Sequence, residues 1–85
     1  MDIQLILDNR AKKDLKKVSV IIIKRVLKTL ETLPNKPLMG TPLRGEFKGS
    51  HKIRIGDYRI IYKFYAEEKL IVVTRIKPRG KVYKN

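Results

Sequence analysis

The chain has no cysteine among its 85 residues and a single histidine, His51. Without thiols there is no disulfide to brace a small core, no thiol catalysis, no iron–sulfur cluster and no cysteine-held zinc. Acid is also scarce, with 8 Asp and Glu against 21 Lys and Arg. No carboxylate pair has the helical or hairpin spacing of metal ligands. Nor is one placed for acid–base hydrolysis, since Asp57 reads as one turn and Glu67–Glu68 as another. Phosphate-cradling, dinucleotide-binding and nucleophile-elbow patterns are missing, so no metal or other cofactor is expected. No apolar run approaches the roughly 18 residues of a membrane span, and no membrane partner is expected. The N-terminus lacks a signal-peptide layout, which places the chain in the cytoplasm. The length leaves room for one domain, residues 1–85, and an apolar share of 42% argues against disorder.

What the chain does have is positive charge. A net charge of +13 opposes compaction through self-repulsion, and a polyanionic partner explains it. Nucleic acid is the foremost candidate, and an acidic protein is the bland alternative. The first 43 residues hold 9 basic and 4 acidic residues, and the remainder holds 12 and 4, so the excess leans toward the C-terminal half.

Hydrophobic spacing divides the chain into two parts. Met1–Leu7 places Ile3, Leu5 and Leu7 on one side, as in a short strand. Asp8 or Asn9 caps a helix running through Lys17, with Ala11 and Leu15 inward and Lys12, Lys13, Lys16 and Lys17 solvated. Ser19 is either a second cap or part of a tight link. Ile22, Ile23, Val26, Leu27, Leu30 and Leu33 then mark a longer helix that Pro34 and Pro37 end. The triplet Ile21–Ile23 is too apolar for one face of an ordinary surface helix: either both sides are covered, or Ile21 belongs to a patch awaiting a partner. After a Pro- and Gly-rich loop (Asn35–Phe47), the period changes to 2. His51–Ile55 and Tyr58–Tyr65 flank the hairpin signal Gly56–Asp57. Ala66–Glu68 makes a second turn and Leu70–Ile76 a third strand, with Lys77–Gly80 breaking the pattern. The expected fold is α+β: an N-terminal strand, a two-helix hairpin, then a three-strand antiparallel meander, giving a four-stranded sheet with one solvated face.

That solvated face is cationic. Lys52 and Arg54 project from one side of their strand, and Arg59 shares it if the hairpin register allows. Arg79 and Tyr83 follow the last strand, four residues apart. Taken singly, these are a solubilising surface, a chain-end charge and a packed aromatic. Taken together, they fit a site for a phosphodiester backbone and a stacked base.

Three stretches, Leu43–Gly49 (LRGEFKG), His51–Tyr62 (HKIRIGDYRIIY) and Pro78–Tyr83 (PRGKVY), together resemble the RelE/ParE superfamily of bacterial and archaeal toxins. Within it the chain looks most like RelE, the ribosome-dependent messenger-RNA endonuclease. The resemblance implies a RelE-like fold and cleavage of mRNA in the ribosomal A site, with the ribosome (rRNA) and mRNA as partners. It also implies neutralisation by a RelB-type antitoxin, and operator-DNA binding by the complex through that antitoxin. Residue by residue, Lys52 and Arg54 stand at RelE's paired basic strand positions, Arg59 at the hairpin arginine, and Arg79 and Tyr83 at the C-terminal arginine and tyrosine. Arg54 replaces the lysine of the best-known RelE, and a guanidinium is a poor base. Pro78 precedes Arg79 where many relatives carry other residues. Glu46 and His51 resemble the Glu/His pair of some related toxins but do not align with it.

RNA is cut when its own 2′-hydroxyl attacks the adjacent phosphorus, so neither a metal nor a protein nucleophile is required. Such a site needs a base, a stabiliser for phosphorane charge and an acid. Lys52, crowded by cations that favour a neutral amine, is the candidate base. Arg54 and Arg59 clamp phosphate, Arg79 stabilises the transition state or serves the acid side, and Tyr83 stacks or relays a proton. Two alternatives stand beside this reading: a ParE-like gyrase poison, and a non-catalytic basic RNA-binding module.

Overall fold

Alternation at the N-terminus produces a strand, β1 (Gln4–Leu7), in a computed structural model that describes residues 2–78. Asp8 ends the strand and caps helix α1 (Asn9–Lys16), its carboxylate accepting from the Ala11 N–H at 3.0 Å. Ala11 is fully buried, and Leu15 packs against the same core.

The link to helix α2 (Ile23–Thr32) is a turn rather than a side-chain cap. The Ser19 carbonyl accepts from the N–H groups of Ile22 and Ile23, and its hydroxyl accepts from the Ile21 N–H at 3.2 Å. Val26 and Leu30 of α2 and Leu33 beyond it are buried at three- and four-residue spacing, but Leu27 lies at the margin of the stripe and is 48% exposed. Of the apolar triplet, Ile21 is the surface member, 81% exposed beside Val20 at 84%, whereas Ile22 and Ile23 pack on the core.

A 3-10 turn (Leu33–Asn35) leads into a strap that crosses to the sheet. The buried Tyr62 hydroxyl donates to the Pro37 carbonyl and accepts from the Gly40 N–H, both at 2.9 Å. A Cβ on Gly40 would stand 2.8 Å from that oxygen, so the close approach needs glycine. Burial raises the Tyr62 pKa, which the Gly40 N–H only partly offsets.

The sheet has five strands where four were expected, because the two residues of β2 (Thr41–Pro42) pair with β3 (Ser50–Ile55). Next come β4 (Tyr58–Tyr65) and β5 (Leu70–Pro78), in the spatial order β1-β5-β4-β3-β2. β1 lies parallel to β5, and the other pairs are antiparallel. The β3–β4 hairpin turns on Gly56–Asp57 with Gly56 at φ 58°, the left-handed value that a primed turn demands. Ile60, Tyr62, Ile71, Val73 and Ile76 meet the helices on one face. β5 runs two residues past its expected end, through Lys77 and Pro78. Among the described residues no helix is long and apolar enough to cross a membrane.

Candidate functional site

The β3–β4 register decides the arrangement of the cations. Ile55 pairs with Tyr58, which sets Arg54 directly opposite Arg59, and Arg59 in turn opposite Lys77 on β5. Three strands thus contribute one cation each to a single transverse row, on the face away from the helices. The neighbouring row runs Thr41, Lys52, Ile61, Arg75, and the next runs Ser50, Lys63, Val72, Ile6.

A bulge in β5 makes this face possible. Ile61 pairs with Arg75 but Tyr62 pairs with Val73, leaving Thr74 as the extra residue, its hydroxyl 3.2 Å from the Ile61 carbonyl that it bonds. Strict alternation from Ile71 and Val73 would send Arg75 and Lys77 into the core. The bulge instead buries Ile76, at 1% exposure, and delivers Lys77 to the cationic row.

A cavity of about 650 Å³ opens on this face. Lys52, Arg59, Lys63, Arg75 and Lys77 of the strands line it, Arg10 of α1 closes one side, and Glu46, Phe47 and Lys48 form the opposite rim. Arg75 is partly neutralised. Its Nε and terminal nitrogen donate to the two Asp14 oxygens at 2.8 and 3.0 Å, and the Ile76 N–H donates to Asp14 at 2.9 Å. Burial pushes the Asp14 carboxyl up, but the hydrogen bonds from Arg75 and Ile76, with the charges of Arg75 and Lys77, outweigh it and hold the group below its ordinary value. The Asp14 bond in turn raises the Arg75 pKa, so the guanidinium stays charged.

The candidate residues therefore divide. Lys52 and Arg59 meet in the cavity. Arg54 shares the row with Arg59 but is exposed and outside the lining. Arg79 and Tyr83 lie outside the described residues. Glu46 and His51 do not come together: Glu46 is on the cavity rim, while His51 faces the other side and stacks on Tyr62 with ring centroids 5.4 Å apart. Arg10, Lys63, Arg75 and Lys77 were missed. Lys63 had a signal, the alternation it shares with Arg59 and Ile61. The other three depend on the bulge and on helix docking, which leave no local trace. Among the described residues no three His, Asp or Glu side chains group as metal ligands.

The model of the family described as "ParE toxin of type II toxin-antitoxin system, parDE" matches residues 5–83. The chain belongs to this family, within the RelE/ParE toxin superfamily. This RelE/ParE toxin is 33% identical over 76 residues to the toxin RelG of Mycobacterium tuberculosis, covering 87% of each chain. A chain of the toxin–antitoxin complex RelBE2 from the same organism superposes with a TM-score of 0.83 at 30% identity, covering 93% of this toxin and 100% of that chain. The isolated E. coli RelE toxin shares the fold, with a TM-score of 0.80 at 22% identity and coverage of 98% and 89%.

Proposed function

We propose that this toxin is a ribosome-dependent endoribonuclease that cuts mRNA in the A site without a metal, and so stops translation in the cytoplasm. The observation that carries the reading is the transverse row Arg54–Arg59–Lys77 beside Lys52 and Lys63. Like charges directly opposite one another in a sheet destabilise it, so a face built this way is suited to a polyanion.

In the proposed reaction the 2′-oxygen attacks the adjacent phosphorus as its proton passes to Lys52. The bond from phosphorus to the 5′-oxygen breaks, and the leaving oxygen takes a proton from the Arg79 and Tyr83 side. Arg59, with the exposed Arg54 opposite it in the same row, holds the phosphate and spreads the phosphorane charge. Structures of RelE toxins bound to RelB antitoxins support a RelB-type antitoxin as partner, through which the complex would contact operator DNA. The exposed pair Val20–Ile21 and the cationic face both suit an acidic, amphipathic partner of that kind.

Primer extension on a defined message in a reconstituted translation system tests the reading. Breaks confined to A-site codons, requiring ribosomes and reduced at least 100-fold by Lys52→Ala or Arg79→Ala, are expected. If each variant stays within a few-fold of wild type, the role assignment is wrong. The ParE family match favours gyrase inhibition as the second reading. An intact message with blocked supercoiling would establish it, and an intact message with RNA merely bound would leave a binding module.

A further inference from the structure

Phe47 is 54% exposed at the rim of the cavity whose strand side carries Lys52, Arg59, Lys63 and Lys77. Half exposed there, the phenyl presents an apolar face to whatever enters the cavity. The loop is constructed to present it. The Leu43 N–H bonds the Ser50 carbonyl at 2.9 Å and closes the base of the loop. Above that clasp, Gly45 and Gly49 take φ of 67° and 96°, and a Cβ at either would meet nothing within 4 Å. Between them a 3-10 turn (Gly45–Phe47) carries the ring, with the Lys48 N–H on the Gly45 carbonyl at 3.0 Å.

The cavity is polarised in a way that tells base from phosphate. Its strand side offers Lys52, Arg59, Lys63 and Lys77, whereas its loop side offers Phe47 between the opposite charges of Glu46 and Lys48. A phosphate is drawn to the four strand cations, which leaves the loop side, where Glu46 and Lys48 offset each other, to the uncharged face of a base. Sites for single-stranded RNA pair a cationic groove with an aromatic platform for this reason. Resting on the endoribonuclease reading, we propose that Phe47 is a positioning residue whose ring stacks on a base of the message, holding the adjacent phosphate over Lys52 and Arg59.

The test is kcat/KM for mRNA cleavage on programmed ribosomes by the full-length toxin and by Phe47→Ala, Phe47→Leu, Phe47→Tyr and Phe47→Trp. Stacking of one base predicts a fall of about 5- to 150-fold for both Ala and Leu, with Tyr and Trp within about threefold of wild type. Thermal unfolding checks that the Ala and Leu variants stay folded, as an exposed side chain allows. Full activity in Phe47→Leu would reduce the role to apolar contact and overturn the proposal. Wild-type activity in all four variants would overturn it as well, with the endoribonuclease reading intact. A wild-type toxin that leaves the message whole would remove both together.

Discussion

Arg54, Arg59 and Lys77 stand in register across three strands, an arrangement that binding a polyanion explains and folding does not. Arg54 is the exposed member and lies outside the cavity lining, so its charge can be removed without opening a hole. Arg54→Thr, with better strand propensity and no facing charge, is expected to raise stability by about 0.2–1 kcal/mol while lowering cleavage. Urea midpoints at constant m, set beside cleavage rates, check this. A variant that loses both stability and activity would mean that Arg54 supports the hairpin itself. His51 shows the opposite case, a polar residue on the same strand as Lys52 and Arg54 whose ring lies against Tyr62, across the sheet from the cations.

Between elements, the decisive contact is Asp14 against β5. β1 ends at Leu7 and pairs with β5 only as far as Val73, leaving the outer backbone edge beyond it uncovered. The Asp8 N–H bonds the Val73 carbonyl at 3.0 Å, and Asp14 then takes the Ile76 N–H, so α1 continues the edge that β1 abandons. The same carboxylate grips Arg75, with side chains 15% and 30% exposed. Because its folded pKa is depressed, the stabilisation is complete above the ordinary value of 3.8 and is lost as pH falls through the lower folded one. Asp14→Asn is expected to cost about 1–2 kcal/mol at neutral pH, between exposed and buried charged pairs. The gap to wild type should close as urea midpoints are followed below pH 3.8. A gap independent of pH would assign the loss to packing instead.

Taken together, the charges make the fold and its ligand opposing demands. At +13 the chain repels itself, so added salt should raise the unfolding temperature by screening. On the proposed reading the same salt should weaken RNA binding, since phosphate contacts release counterions. On that reading Lys63→Ala removes one phosphate contact and is expected to flatten the slope of log K against log salt by about 0.7 for a single strand. An unchanged slope would place Lys63 outside the RNA path.

Local patterns made much of this toxin legible. Asp8 as cap, Ala11 and Leu15 as the inner face of α1, and Gly56–Asp57 as a two-residue turn follow from periodicity and turn chemistry alone. So does the shared face of Lys52, Arg54 and Arg59, because a two-residue turn sets the register and alternation does the rest. Long-range contacts decided what neighbouring residues do not encode. The strand Thr41–Pro42 exists because β3 offers it an edge, and Leu27 is exposed because the sheet accepts only one stripe of α2. The bulge at Thr74 changes which side of β5 faces the core, so that Arg75 and Lys77 join a face that simple alternation would deny them. Side-chain periodicity is a local property of the backbone, whereas the pairing that breaks it is settled only when strands distant in sequence meet.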